Sequence, residues 1–160
     1  AACNTLFFSN RYLFQSKNPK RILEFIKHPV FKYSTVCTTI ETNRFYKDVM
    51  QCSPKIEDRV KAMEDIADLD IDTYVTVEPI MDFDLDEMVD FIRRCKPKQV
   101  NIGKNTNKMI QLLEPPKNKV SSLINELQSF TNVHIKNNIK DWITYNCLQE
   151  HQTIQRQISV

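Results

Sequence analysis

The sequence predicts an α/β fold built on a parallel sheet, and three observations carry that prediction. Four short β-type runs each end in polar or ionisable residues and pass at once into a helical pattern. They are YLFQSKNP (Tyr12 to Pro19), VCTTIETNR (Val36 to Arg44), YVTVEPIMDFD (Tyr74 to Asp84) and VNIGKN (Val100 to Asn105). A fifth run, VHIKNN (Val133 to Asn138), closes the series. Strands alternating with helices imply right-handed βαβ crossovers. Five β units are too few for a closed eight-stranded barrel, which leaves an open parallel sheet or the carboxyl-terminal part of a partial (β/α) TIM-like barrel. The chain begins AACNT, without an initiator methionine, and reads as a piece of something longer cut at its amino end. That favours the partial barrel.

Residues 1–10 show no clear period. Tyr12 to Ser16 reads as a strand, and Asn18-Pro19 opens a helix with Asn as N-cap and Pro at its first position. Ile22, Leu23, Phe25 and Ile26 are its expected buried stripe, ended by His28-Pro29. Ser34 to Ile40 is a β-branched strand, and the loop after it, Asn43 to Lys55, is long enough for a functional excursion. Ile56 to Leu69 is a charged amphipathic helix with Val60, Met63, Ile66 and Ala67 on one side. Thr73 to Val77 is the third strand. The next helix turns Leu85, Met88, Val89 and Ile92 inward and takes Asp84 or Asp82 as its cap. Gln99 to Ile102 is the fourth strand. A loop marked by Glu114, Pro115 and Pro116 leads into a helix carrying Val120, Leu123, Ile124 and Leu127. Asn132 to Ile135 is the fifth strand, before a last amphipathic helix with Ile139, Trp142 and Ile143. The reading is one domain over 1–148 and a polar tail over 149–160, with no internal repeat.

At 160 residues the chain is long enough to bury a core. Its 41% hydrophobic and 26% charged content is ordinary for a soluble globular protein. A net charge of +2 makes no case for nucleic acid or for a membrane surface. No apolar run approaches the roughly 20 residues of a membrane helix. The partner expected is therefore a small molecule. Cys3, Cys37, Cys52, Cys95 and Cys147 are odd in number and far apart, so neither a disulfide framework nor a metal knuckle fits them. Reduced thiols in a cytoplasmic protein are the plain reading.

In parallel sheets chemistry collects at the carboxyl ends of the strands. Glu41 and Glu78 end the second and third strands. Neighbouring strands lie about 5 Å apart, which places two carboxylates to share a proton, hold a cation or act as an acid/base pair. The plainer role for each is to cap a helix or to pair with Lys17, Arg44 or Lys104. Pro79 restrains the backbone just beyond Glu78. Lys17, Lys104 and Lys136 end strands on the same rim, accompanied by Asn101, Asn105, Asn137 and Asn138. Lysine and amide donors beside carboxylates suit a zwitterion or a phosphate-bearing ligand. Gly103 is the only glycine and marks a positive φ, a close backbone approach to a ligand, or a simple turn. DFDLDEM (Asp82 to Met88) fails as a calcium loop, because Glu87 and Arg93 stand where an EF-hand needs glycine and glutamate. Helix capping explains those carboxylates better. His28, His134 and His151 share no ligand spacing, so no metal is assigned.

QSKNPKR (Gln15 to Arg21), TTIETNR (Thr38 to Arg44), TVEPIMDF (Thr76 to Phe83), VNIGKN (Val100 to Asn105) and IKNNI (Ile135 to Ile139) follow one another in an order that resembles the phage Gp37/Gp68-type family. That is a radical-SAM-related group known by a domain of unknown function. The segment VEPIMDFD is the most specific part. The resemblance implies a partial (β/α) barrel that binds S-adenosylmethionine beside a [4Fe-4S] cluster. It places Lys17, Glu41, Glu78 and Asn101 to Lys104 along the floor for cofactor and substrate. The three-cysteine motif that holds the cluster in radical SAM enzymes is missing here, so the cluster is expected only from sequence outside this chain. Two other classes are weighed beside this one: a non-catalytic binding module or decayed phage-type protein, and a barrel hydrolase using Glu41 and Glu78.

Overall fold

The structure, a computed structural model, describes residues 10–107, 109–140 and 143. In chain order the elements are β1 (Tyr12–Gln15), α1 (Pro19–Leu23), a 3₁₀ helix (Pro29–Tyr33), β2 (Ser34–Thr39), α2 (Lys47–Met50), α3 (Ile56–Ala67) and β3 (Asp72–Val77). They continue with α4 (Leu85–Arg94), β4 (Gln99–Ile102), α5 (Lys117–Gln128) and β5 (Asn132–Ile135). A further helical turn covers 137–140. The five strands form one sheet in the order β1-β2-β3-β4-β5, and every neighbouring pair is parallel. This is an α/β fold with flanking helices, consistent with a partial βα-repeat architecture.

Each crossover advances by one strand in the same direction, so right-handed connections stack the helices on one face. Accordingly α1 packs on α3, α3 on α4, and α4 on α5. The sheet contributes Val36, Val75, Val77, Val100 and Ile102 to a single core with Val60, Met63 and Ile66 of α3, Met88 and Ile92 of α4, and Val120, Leu123 and Leu127 of α5. Fully burying one such side chain contributes about 1.5–3 kcal/mol.

The opposite face is of different composition. Side chains alternate along a strand, so the residues between the core positions are Cys37 and Thr39, Tyr74 and Thr76, Gln99 and Asn101, and His134. The register aligns Thr39, Thr76, Asn101 and His134 in one row across four strands. Parallel sheets ordinarily read as continuous apolar runs because both faces are covered. Here a polar row crosses the middle of the sheet, with Thr39 and Thr76 buried and His134 exposed.

Two local expectations are corrected. Phe25 does not join the buried stripe of α1 but is 55% exposed. The helix ends at Leu23, and the chain continues in tight turns with Phe25 N–H on Ile22 O and His28 N–H on Phe25 O. That shorter repeat rotates Phe25 outward, where the Arg21 guanidinium lies over its ring at 5.7 Å. The loop after β2 contains the short helix α2, which buries Met50. Trp142, Cys3, Cys147, His151 and the tail 149–160 lie outside the described residues. Among the described residues no helix is long and apolar enough to cross a membrane.

Truncation of the fully buried Ile102 to alanine is expected to cost about 2–5 kcal/mol of unfolding free energy. Leu13→Ala, on the edge strand and 58% exposed, should cost less than about 0.5 kcal/mol. Urea unfolding followed by circular dichroism measures both, and equal costs would contradict a one-sided core.

Candidate functional site

At the carboxyl edge the parallel ladders run past the assigned strand ends. Ile40 N–H donates to Thr76 O (2.9 Å), Gly103 N–H to Val77 O (3.1 Å), Ile80 N–H to Gly103 O (2.9 Å) and Lys136 N–H to Ile102 O (2.9 Å). Glu78, Gly103 and Lys136 each stand two residues beyond the row Thr76, Asn101, His134, so they continue the alternation of the polar face.

The contacts agree with that placement. Lys136 Nζ pairs with Glu78 Oε2, and Asn138 Nδ2 donates to Glu78 Oε1 and to Lys104 O, both at 3.1 Å. Lys104 Nζ lies 3.3 Å from Glu114. Gly103 does not have a positive φ, which corrects that expectation. The close approach is real, but it is made by the protein itself. A Cβ on Gly103 would fall 2.5 Å from Glu78 Oε1 and 2.8 Å from its carboxyl carbon. The missing side chain is what lets the Glu78 carboxylate lie flat across the neighbouring strand. The Glu78–Pro79 peptide is cis. Asn101 accepts from Gln99 Nε2 at 2.7 Å on the same face.

Glu41 belongs to a second network. Lys17 Nζ pairs with its Oε1, while Arg59 Nη1 donates to its Oε2 at 2.9 Å and to Thr39 O at 2.9 Å. Arg59 Nε donates to Pro54 O at 2.9 Å. Arg59 is completely buried and Glu41 nearly so. The two carboxylates thus sit on adjacent strands, each with both oxygens engaged by different partners. Among the described residues no His, Cys, Asp and Glu cluster of three or more is arranged to hold a metal ion. Sequence reasoning missed Arg59. The signal was present, because it falls on the helix face of Ile56, Val60 and Met63, where a charge needs a buried partner.

A third group locks the loop after β2 to the loop after β3. Arg44 pairs with Asp82 and, through Nε (2.8 Å) and Nη2 (2.6 Å), with Asp84. Lys119 Nζ reaches Asp82 at 2.9 Å, and Thr42 Oγ1 donates to Asp82 O at 2.7 Å. The capping expectation for these carboxylates is corrected. Asp84 is the N-cap of α4, but its side chain makes no cap hydrogen bond. Its own N–H donates to Asn43 Oδ1 at 2.8 Å instead. The Arg44 hydrogen bond holds the Asp84 carboxyl down to about 2. Burial pushes the Asp82 carboxyl up, but the Lys119 hydrogen bond and charge and the Arg44 charge outweigh it, leaving it below the usual range.

A cleft of about 420 Å³ opens beside this lock, lined by Asn43, Arg44, Phe45, Lys55, Ile56 and Glu57. It does not include the Glu78–Lys136 network. Strand-end donors and acceptors meet at that network rather than in the cleft. On the polar face Cys37 Sγ lies 3.4 Å from Thr76 Oγ1. Burial pushes its thiol up, outweighing the opposing Thr76 hydrogen bond and Lys136 charge.

Gly103→Ala is expected to destabilise the fold by about 1–3 kcal/mol through overpacking. In a Glu78→Ala background the same change should cost less than about 0.5 kcal/mol, a coupling that a double-mutant cycle in urea reads directly. For the Arg44 lock the sign is set by a folded carboxyl below its unfolded value of about 3.9. The stabilisation from Asp84 is present above about pH 4 and is lost as pH falls toward about 2. Arg44→Met should flatten that part of the acid-unfolding profile, measured as the urea midpoint against pH.

Comparisons of this chain with protein-family models, with curated proteins and with solved structures gave no match. Its function is therefore argued from the strand-end groups themselves.

Proposed function

We propose that this chain is the carboxyl-terminal half of a radical-SAM-like protein and supplies a rim that binds a small zwitterionic ligand, S-adenosylmethionine being the first candidate. The observation that carries this reading is the polar face ending in Glu78, Gly103, Lys136 and Asn138 on an in-order parallel sheet with helices on the other side. A zwitterion needs a carboxylate for its ammonium and cations for its carboxylate. Glu78 and Lys136 offer that pair, with Glu41 and Lys17 as a second pair on the next strand. Asn101, Gln99 and His134 add amide and imidazole groups for hydroxyls or a base edge. The Lys104 carbonyl accepts from Asn138 and its ammonium pairs with Glu114.

A [4Fe-4S] cluster does not fit the described cysteines. Cys37 and Cys95 are buried and Cys52 is exposed, with no three thiols gathered. Such a cluster would have to come from residues outside this chain, and no redox step is assigned here. What these residues do is bind and orient. A second reading, a non-catalytic binding module, is supported by the internal pairing of Glu41 with Lys17 and Arg59 and of Glu78 with Lys136. Acid/base work by this pair, as in a barrel hydrolase, would first require a ligand to displace those partners.

Calorimetric titration of the chain with S-adenosylmethionine separates the two. Weak binding is expected, reduced at least tenfold (about 1.4 kcal/mol) in Glu78→Gln and in Lys136→Met. A folded chain that takes up none of the cofactor would leave the module reading in its place.

A further inference from the structure

The Glu78–Lys136 pair joins residues that do not stand on neighbouring strands. Glu78 follows β3 and Lys136 follows β5, with the continuation of β4 at Gly103 between them. Neighbouring strands lie about 4.8 Å apart, so two spacings separate these backbones by about 10 Å. The bridge exists because Gly103 has no side chain. A Cβ there would fall 2.5 Å from Glu78 Oε1, so the carboxylate lies over β4 and the lysine meets it there.

The two partners are not held alike. Glu78 Oε1 accepts from Asn138 Nδ2 at 3.1 Å, and the same amide donates to Lys104 O at 3.1 Å. The carboxylate is thereby fixed to the chain beyond β4 and beyond β5. The Lys136 ammonium meets Glu78 Oε2 at the end of a flexible four-carbon stem. Both groups stay within reach of a ligand, because the Glu78 side chain is 23% exposed and that of Lys136 40%. The surrounding charges are matched as well, Lys104 with Glu114, and Lys17 and Arg59 with Glu41. A ligand arriving at this rim therefore meets a carboxylate and an ammonium that neutralise each other.

A ligand with one charge can only exchange one ion pair for another. An amine that takes Glu78 releases Lys136, and a carboxylate that takes Lys136 releases Glu78. Either exchange leaves the number of pairs unchanged and strands the displaced partner. A ligand with both charges replaces one internal pair by two, and no group is left over.

We propose that the Glu78–Lys136 bridge is an internal competitor, displaced only by a ligand that carries both an ammonium and a carboxylate. Lys136 is the arm that swings away and Glu78 the post that stays. The bridge filters for the amino-acid end of a ligand and rejects simple amines and simple acids. This rests on the zwitterion reading of the rim and adds what that rim refuses.

The test uses probes that differ only at the charged end: methionine, its decarboxylated amine and its deaminated acid. Binding is read by ¹H–¹⁵N chemical-shift titration of the full chain at constant ionic strength. The unaltered chain is expected to bind methionine at least about tenfold more tightly than either single-charge probe. Lys136→Met removes the competitor from Glu78. The amine should then bind about fivefold more tightly than it binds the unaltered chain, while methionine binds more weakly. Glu78→Gln should do the same for the acid. Lys136 is the more exposed of the two, and its variant decides alone if Glu78→Gln does not fold. Methionine binding with no gain of amine in Lys136→Met overturns the filter and leaves the rim reading in place. So do single-charge probes that bind the unaltered chain as tightly as methionine. A folded chain that takes up none of the probes removes the rim reading, and the filter with it.

Discussion

The carboxyl edge depends on main-chain hydrogen bonds that continue the parallel ladders beyond the regular strands. Ile40 on Thr76, Gly103 on Val77, Ile80 on Gly103 and Lys136 on Ile102 hold four loop beginnings as if they were still strand. Without them the side chains of Glu78 and Lys136 would belong to separate loops, and loop positions scatter by more than a hydrogen bond tolerates. With them, two residues per turn of the pleat set each side chain on a known face. The site is thereby built on rigid backbone, which is where precise constellations are held best.

That edge carries several charges, and pairing explains how they are tolerated. Glu41 and Arg59 are both withdrawn from water, and a lone buried charge of either kind would be strongly unfavourable. Each therefore fixes the other, and Arg59 in addition ties α3 to the end of β2 and to Pro54. Glu78 is more accessible and is held by Lys136 and Asn138. The contrast divides the labour along the rim. Glu41 organises the fold around α1 and α3, while Glu78 faces outward from the polar row and can exchange partners at lower cost.

Much of the fold was legible because its signals are local. The fourth and fifth strands begin and end at the residues the pattern indicates, and α3, α4 and α5 bury most of the residues that the helical period selects, Ala67 and Leu85 being only partly covered. Alternation between strand and helix foretold the parallel sheet. The α1 stripe was misjudged at Phe25, since a 3.6-residue period was carried through turns that repeat every three. Capping was misjudged at Asp84 for a related reason. A carboxylate before a helix has the right local position, but Arg44, forty residues away in sequence, competes for it with a full charge.

By itself, then, the amino-acid order determined the five strands, their parallel sense, the three long helices, and the set of polar residues that end the strands, because periodicity and turn chemistry act over a few neighbours. The short 3₁₀ helix and α2 escaped it. Which of those residues meet was decided only by the tertiary structure. Glu78 against Lys136 and Asn138, Glu41 against Arg59, and the vacancy at Gly103 that the Glu78 carboxylate fills all join residues between 18 and 60 positions apart. The register of adjacent ladders sets such encounters. Register follows from packing the whole helical layer against one face of the sheet, a property no single segment contains.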